Sequence, residues 1–546
     1  MATYKLRAGG KQISITENLA DKIVSWVDPV RAMDRLRARA KMAMVGGYTG
    51  GSRSRRGLSD FNPKGGSADA DILPDLPTLR ERSRDLIRNT PLATGAIKTK
   101  ITNVVGTGLK LQSNIDRDIL ALDDAQAEAL EHNIEKEWDL WWGSHECHAG
   151  RALNGNTISR LIYRQVKENG DVLALMPRIK RPGISPYALK VQVIEADRLC
   201  NADSKRDTLN LSGGVLRDDN GVPQEYHILK VHPGEWYKAG SREWEIIPAY
   251  GPRTGIRNVI HLFQMDRPGQ SRGVPDLAPV VETLKQLARY TDAEIMAAVV
   301  SGMFTTFINS EEGDADLGMM TPNEGGATSA DEDYKLGYGT IVGLAPGEEI
   351  TTANPTRPNA VFDEFVMSVM RQVGVALEIP FEILVKHFQS SYSAARAALL
   401  DFWHYVFTER KWFSENFHQL VFETFMFEAV ALGRVSAPGF LSDPLLRRAY
   451  CGAEWIGPAK GMIDELKEVD AAGRRIELGI STHSEVTAEL TGGDWERKHV
   501  RLVKEKKMRR DDGLEIEENS AFNRQPQTYP SDEPLPAKQE EQSTTT

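Results

Sequence analysis

The chain has 546 residues, of which 40% are hydrophobic and 26% charged, a composition typical of a soluble globular protein with more than one core. No run of about 18 apolar residues predicts a membrane span, and residues 1–10 lack the apolar segment of a secretory signal. The net charge of −10 argues against a protein that grips nucleic acid over its whole surface, because such proteins are usually basic. The three cysteines lie far apart, which predicts no disulfide framework and fits assembly in a reducing cytoplasm.

Charge is concentrated at the two ends of the chain. Residues 30–58 hold eight basic side chains and one acid, whereas residues 511–546 hold nine acids and two basic side chains. This asymmetry indicates either two interaction tails or two solvated, mobile ends. The basic run at 31–41 is equally compatible with phosphate contacts and with an amphipathic surface helix. Residues 43–75 are rich in Gly, Ser, Arg and Asp, which predicts a flexible arm.

Helix signals dominate the first part of the predicted folded region. Folded structure is expected from Pro77, with Thr78 and Glu81 at capping-box spacing and a second helix starting at Thr90-Pro91. Apolar residues at helical spacing predict a helix over 123–142. Asn156 is expected to cap the following helix, which ends at the dipeptide 169–170.

Strand signals follow. Short apolar or alternating runs predict strands at 172–176, 189–194, 226–231 and 259–263. The dipeptide Asn220-Gly221 predicts a hairpin turn before the third of these strands. Residues 105–265 are therefore expected to form an α+β domain.

The character of the chain then changes. A helix is predicted over 276–301, followed by a polar, acid-rich insert over 310–357, and a second helix from about Asn359 that Pro380 ends. The longest predicted helix, 391–433, has apolar side chains on most faces, so it is expected to be buried against neighbouring elements of this or another subunit. Residues 455–510 are predicted to be helical and to end in a basic run, and the segment after them to be disordered.

Two local motifs raise chemical interpretations. Gly269-Gln270-Ser271-Arg272-Gly273 matches the nucleophile-elbow pattern of serine hydrolases, but Pro268 and Pro275 separate it from the strand and helix that such an elbow requires, which favours a glycine-rich turn. His145, Glu146, Cys147 and His148 resemble part of a metal site, yet no second ligand pair lies at a matching distance. A P-loop is absent from the sequence, so ATP hydrolysis by that route is not expected.

Several stretches, in their order and spacing, resemble the lambda-like family of tailed-phage portal proteins over about residues 75–510. They are 84–91 (RDLIRNTP), 103–108 (NVVGTG), 260–275 (IHLFQMDRPGQSRGVP), 344–348 (LAPGE), 390–396 (SSYSAAR), 455–456 (WI) and 479–485 (GISTHSE). The N-terminal arm and the acidic tail take no part in the resemblance.

The resemblance implies a helix-rich α+β portal fold with a wing, a two-helix stem, a clip insert and a helical crown. The parts expected on this sequence are an N-terminal basic flexible arm (1–75), a wing α+β domain (76–275), stem helix 1 (276–305), the clip (306–357), stem helix 2 (358–380), a tunnel loop (381–392), a long wing helix (393–435), a crown region (436–510) and an acidic disordered tail (511–546).

The resemblance also implies a function. Portal subunits form a ring, usually of twelve copies, at one capsid vertex of the virion, after assembly in the host cytoplasm. The ring is a conduit for double-stranded DNA during packaging and ejection, nucleates head assembly and contacts the terminase large subunit, the head–tail connector protein, and the major capsid and scaffold proteins. No catalytic residue, metal or cofactor is expected, and Lys386, His387, Gln389 and Ser390 of the tunnel loop are the candidate DNA-channel residues.

Two alternative functions remain. The chain could be another virion protein, such as a head–tail adaptor or minor capsid component, or a serine hydrolase that uses Ser271.

The composition fits the conduit that the resemblance implies. An acidic subunit suits a conduit, because strong phosphate contacts would slow the sliding of DNA. The missing P-loop agrees with ATP hydrolysis by a separate terminase chain.

Overall fold

The computed structural model describes residues 3–8, 11–16, 19–45, 49–51, 56–58, 60–63, 65–235, 242–302, 306–310, 348–352, 362–387, 392–461 and 464–514. The chain divides into two units, Met1–Ser67 and Ala68–Thr546. The larger unit therefore begins eight residues before the expected arm–wing boundary at 75/76.

The smaller unit has more regular structure than the expected flexible arm. Strand β1 (Thr3–Ala8) pairs antiparallel with β2 (Lys11–Thr16), so that Thr3 lies opposite Thr16, and helices α1 (Leu19–Val27) and α2 (Pro29–Val45) follow. Asp28 accepts hydrogen bonds from the backbone N–H groups of Val30 and Arg31, at 3.1 and 3.2 Å, and so caps α2. The helix proposed for residues 31–41 is present, while its contact with phosphates stays a prediction.

The larger unit opens with six helices. These are α3 (Ala68–Ile72), α4 (Leu76–Asn89), α5 (Pro91–Val104), α6 (Arg117–Leu120), α7 (Asp124–Trp142) and α8 (Gly155–Asn169), with strand β3 (Lys110–Ser113) between α5 and α6. Of these helices, α4, α5, α7 and α8 were predicted from the sequence, whereas α3, inside the expected flexible arm, and α6 were not. The starts of α5 and α7 are confirmed, and Asp123 and Gln126 form a capping box on α7.

Two helix starts were predicted at the wrong residue. Helix α4 begins at Leu76 after Asp75, because Pro77 is tolerated in the first turn and Thr78 already lies inside the helix. Helix α8 is capped by Asn154, not Asn156, since the Asn154 Oδ1 atom accepts a 2.9 Å hydrogen bond from the Thr157 N–H.

Two antiparallel sheets lie between α8 and the stem. Strand β4 (Asp171–Leu175) is the centre of one sheet, with β5 (Gln192–Glu195) on one side and β10 (Val259–Phe263) on the other. The second sheet has the order β6 (Leu211–Ser212), β7 (Val215–Arg217), β8 (Pro223–Leu229) and β9 (Trp244–Pro248). The predicted hairpin at Asn220-Gly221 is confirmed as the turn between β7 and β8.

The helix–insert–helix plan follows. Helix α9 (Val281–Gly302) starts later than predicted, because Ala278–Val280 forms a 3₁₀ turn. Strands β11 (Thr306–Ser310) and β12 (Glu348–Thr352) pair antiparallel at the base of the insert, and the rest of the expected clip lies outside the described residues. Helix α10 (Phe362–Ala376) is the second stem helix, and the short α11 (Phe381–Val385) follows Pro380.

The predicted long helix is present with one irregularity. Helices α12 (Tyr392–Phe413) and α13 (Gln419–Ala431) are joined through a π-helical turn, Ser414–His418. The remaining elements are α14 (Pro444–Tyr450), β13 (Ala453–Ile456), α15 (Glu465–Glu477), α16 (His483–Thr491) and α17 (Trp495–Asp511). Strand β13 pairs with β3, with Trp455 opposite Leu111, and so joins the C-terminal region to the wing helices.

The main core lies where α13 crosses α7. Trp138 of α7 meets Phe422 and Phe425 of α13 edge to face, with ring centroids 5.6 and 5.4 Å apart. Such aromatic pairs add about 0.5–1.5 kcal/mol each beyond the area they bury. The expected burial of the long helix is confirmed for Phe402, Phe413, Phe417, Phe422 and Phe425, whereas Phe407 is 46% exposed.

Candidate functional site at the stem junction and tunnel segment

A buried carboxylate at the start of β4 gathers two guanidinium groups and one imidazole from three segments of the chain. The Asp171 side chain is fully buried and accepts hydrogen bonds from Arg80 of α4 at 2.6 Å and from Arg272, in the turn before the stem, at 2.5 Å. The Nε2 atom of His261 on β10 lies 3.1 Å from the same carboxylate. Burial alone would raise the pKa of Asp171, but Arg272 and Arg80 outweigh burial and hold that pKa well below its usual range.

A second buried ionic network lies directly at the start of the stem. Asp276, which precedes α9, is 2.6 Å from the Nζ atom of Lys100 on α5 and 3.4 Å from that of Lys167 on α8. The Lys167 ammonium also lies 2.8 Å from Glu409 of α12, which accepts a 3.0 Å hydrogen bond from the Tyr163 hydroxyl. Burial would lower the pKa of Lys167, but Asp276 and Glu409 outweigh burial and raise it. The network therefore holds two wing helices, the long helix and the stem together.

The glycines of this junction are required by close packing. Gly170 follows α8 with a φ of 89°, in the region that favours glycine. A Cβ atom on Gly170 or on Gly273 would overlap the backbone of the other. The two backbones therefore cross in contact, just where the chain turns from β10 into the stem.

The serine of the nucleophile-elbow pattern is part of the same packing. Ser271 is completely buried, and its hydroxyl donates a 2.5 Å hydrogen bond to Asp69 while it accepts one of 2.8 Å from Arg217. A nucleophilic serine needs a base such as histidine at its hydroxyl and access for a substrate. The hydrolase interpretation therefore has no support in the geometry of Ser271, and the glycine-rich turn is the correct description.

The stem helices pack on each other through aromatic side chains. Tyr290 of α9 stacks on Phe362 of α10 with centroids 5.4 Å apart, and Phe365 meets the same ring edge to face at 5.3 Å. At the end of the pair towards the wing, Leu284 of α9 and Val373 of α10 are buried. Helix α9 and helix α10 thus form one two-helix element that leaves the wing at the ionic junction.

Two of the four predicted channel residues, in the segment expected to form the tunnel loop, lie in the described part of the chain. Lys386 ends α11 in the left-handed conformation, with a φ of 57°, and both it and His387 are exposed. Ile383 and Leu384 are buried and anchor this short helix on the wing. Gln389 and Ser390 lie outside the described residues.

The motif of histidines and a cysteine at 145–148 is used for folding. Cys147 is buried, the Glu146 carboxylate pairs with Arg151 and Arg181, and the Nδ1 atom of His148 accepts a hydrogen bond from the Ala152 N–H at 3.2 Å. These contacts stabilise a short 3₁₀ turn, His145–Cys147.

Sequence reasoning missed one group of acidic and histidine side chains. Ligand atoms of Glu195, Asp197 and His232 lie within 4.8 Å of one another. However, the Arg84 guanidinium is paired with Asp197 and lies 3.9 Å from Glu195, so these carboxylates already face a cation. The three residues come from segments about 35 positions apart, and no spacing in the sequence connects them.

Comparison with known proteins identifies the class to which this architecture belongs. Residues 54–410 match the family described as phage portal protein, lambda family. The chain is 26% identical over 491 residues to the portal protein of Escherichia phage N15 and, equally, to portal protein B of Escherichia phage lambda, with 86% of this chain and 91% of each relative covered. A probable portal protein of Halomonas phage phiHAP-1 is 24% identical, with 78% of both chains covered.

Solved structures were compared as well. A chain from the neck of a native gene transfer agent particle, computed with C12 symmetry, is 13% identical with a TM-score of 0.41, over 76% of this chain and 93% of that chain. A chain from the neck of the empty particle gives a TM-score of 0.42 over 80% of this chain and 99% of that chain.

The protein belongs to the lambda family of phage portal proteins, since the family match covers more than half of the chain. It is a structural component of the virion rather than a head–tail adaptor of another family. Among the helices that the structure describes, none is long and apolar enough to cross a membrane.

Proposed function

We propose that twelve copies of this chain close into a ring at one capsid vertex, with the stem around a channel for double-stranded DNA. The observation that carries the proposal is the two-helix stem that leaves the wing at a rigid ionic junction, with the tunnel segment directly after it. The proposed parts keep the bounds given above for the wing, stem, clip, tunnel loop and crown.

Exposed apolar side chains on the stem supply the surface that a ring requires. A closed ring forms through head-to-tail contacts between two different faces of the subunit. On α9, Ile295, Met296 and Val299 are 55%, 61% and 47% exposed and lie within about one helical turn of one another. Exposed apolar groups of this kind mark contact surfaces when they lie near one another.

The proposed channel surface includes the tunnel loop. Lys386 and His387 are exposed at the end of α11, and we place them, with Gln389 and Ser390, beside the passing DNA. A few cations per subunit would guide the phosphates without holding them. The further roles that we propose are assembly in the host cytoplasm, nucleation of the head, and contacts with terminase, the head–tail connector, and the capsid and scaffold proteins.

The ring is tested by placing charges on the proposed stem contact. The double variant Ile295→Asp and Val299→Asp changes side chains that are exposed on one face of α9, so the subunit should still fold. Ring formation should be lost, because each ring contact would bury uncompensated carboxylates. Native mass spectrometry and electron micrographs of the purified protein give the oligomeric state.

The matched control places the same kind of charge on the wing. Leu209 is 99% exposed, and Leu209→Asp should leave the rings intact. If the stem variant forms rings as readily as the natural chain does, the stem is not the contact surface. If the natural chain remains a monomer at all concentrations, the ring itself is refuted; a concentration-dependent shift to rings is expected from mass action.

A further inference from the structure

The last helix of the chain is a basic rod that leaves the body of the subunit. Helix α17 is capped by Asp494 and held at its base by Arg497, which lies 3.1 Å from both Glu135 and Asp139 of α7. Beyond this anchor, every residue from 501 to 514 is exposed. Only the first turn of α17 therefore belongs to the packed part of the subunit.

The exposed part of α17 has a charge opposite to that of the chain as a whole. Six basic side chains and a single acid, Glu505, lie within residues 501–510, although the chain has a net charge of −10. The basic residues are Arg501, Lys504, Lys506, Lys507, Arg509 and Arg510. They are distributed around the whole circumference of the helix, since their spacing follows no single face.

The apolar residues of the same helix do not form a docking stripe. Val500, Val503 and Met508 are exposed and lie on one side of the helix, but Lys504 and Lys507 lie on that same side and interrupt them, and the exposed Leu502 lies on the opposite side. A helix that packs on a neighbouring protein normally presents apolar residues three and four apart. The composition of α17 therefore favours a polyanionic partner over a protein groove.

We propose that the exposed part of helix α17 binds the phosphate backbone of double-stranded DNA without sequence preference. Residues 501–510 span about 14 Å at 1.5 Å per residue, a length over which duplex DNA carries about eight phosphate charges. Because the cations surround the helix, a duplex that lies on one side of it would meet about half of the six. The inference rests on the proposed function only in that DNA comes close to this subunit.

The acidic C-terminal segment competes for the same cations. Asp511 ends the helix, and Asp512, Glu515, Glu517 and Glu518 follow it in the sequence. Carboxylates tethered at this distance reach a high effective concentration at the basic side chains. DNA must displace them, which keeps the contact weak enough to be reversible.

The test is the salt dependence of binding to a fluorescent 30-base-pair duplex, measured by anisotropy on the full chain. One variant replaces the six basic residues of 501–510 by Gln. If three of the six residues contact phosphates, replacing them should make the slope of log K against log salt shallower by about 2.7. The loss of affinity relative to the natural chain should then be roughly 500-fold larger at 0.1 M salt than at 1 M salt. The ring content of each sample is measured in parallel by native mass spectrometry.

The matched control removes the same charge from exposed basic residues elsewhere. It replaces Arg82, Arg88, Lys98, Lys110, Lys136 and Lys180 by Gln. A salt slope that falls in the control as much as in the α17 variant would overturn the assignment to this helix. If the α17 variant still forms rings but loses DNA binding, the DNA contact of α17 is supported independently of the proposed ring.

A second variant chain tests the competition by the acidic tail. In this chain the five acids named above are changed to Asn or Gln, and the replacement of the six basic residues by Gln is then repeated in it. Tighter DNA binding that again depends on the six basic residues supports the proposal together with the tail competition. An unchanged salt slope in both backgrounds refutes DNA binding, and rings lost with unchanged DNA affinity would assign α17 to a contact between subunits.

Discussion

The buried imidazole of the π-helical turn should make folding stability depend on pH. His418 is completely buried beside Trp142 and Phe413, and its Nε2 atom lies 2.8 Å from the Ser159 hydroxyl. That hydroxyl donates to the Gly155 carbonyl at 2.9 Å, so it accepts from the imidazole, which is neutral and protonated on Nε2. Burial lowers the pKa of His418 to about 3.

The sign and size of the effect follow from proton linkage. An unfolded histidine has a pKa of about 6.5, so the unfolded chain binds more protons than the folded chain at acid pH. The stability contributed by the neutral imidazole is complete above pH 6.5 and is lost as the pH falls towards the folded pKa of about 3. Between pH 7 and pH 5 this single group should lower the free energy of unfolding by about 2 kcal/mol.

Urea unfolding at pH 7 and pH 5, followed by tryptophan fluorescence, measures this difference. His418→Phe keeps an aromatic ring in the aromatic cluster and removes the titration, so the variant should lose about 2 kcal/mol of the pH dependence. His418→Gln is the second variant, and the exposed His132→Gln is the control. If both His418 variants retain the full difference between pH 7 and pH 5, the buried neutral imidazole is not its source.

The two buried ionic groups of the stem junction give two further predictions. Asp171→Asn should destabilise the larger unit by about 3–5 kcal/mol, because Arg80 and Arg272 would remain buried without a counter-charge. Asp139→Asn, which affects an exposed pair, should cost less than about 1 kcal/mol in the same urea experiment. Lys167→Met should also cost about 3–5 kcal/mol by leaving Glu409 and Asp276 short of cations, and adding Glu409→Gln should recover part of the loss. A loss below about 1 kcal/mol for either single variant would contradict the assigned role of its network.

Local periodicity in the sequence was sufficient for most helices. The apolar spacing of 123–142 and the aromatic run after residue 402 predicted α7, α12 and α13, because both patterns reflect burial along one helix. The π-helical turn at Ser414–His418 was not predicted, since no local spacing marks it; His418 at its end contacts Ser159, which lies 259 positions away. The strands of the N-terminal unit were missed because the basic composition of that region drew the prediction towards a flexible arm.

The candidate site was less accessible to sequence reasoning. Asp171 and Arg80 are 91 positions apart, and Lys100 and Asp276 are 176 positions apart, so no local spacing in the sequence predicts either ion pair. A signal was present in the residues themselves: Asp171 opens a buried strand, and Lys167 lies on the apolar side of α8. A charged residue at a core position requires a partner of opposite charge, which the sequence cannot locate.

The physical reason for placing charges at the junction bears on the proposed ring. Buried ion pairs add little net stability compared with apolar packing of the same volume. Their contribution at this junction is therefore the orientation that they impose on the groups they join. The Arg272 guanidinium donates to Asp171 and also to the carbonyls of Leu199 and Ala196, both at 2.6 Å, and these directional bonds admit one orientation. We infer that the junction fixes the angle at which the stem leaves the wing. In a closed ring every stem must leave at the same angle for the channel to keep one diameter, and an apolar contact that could slide would not impose this.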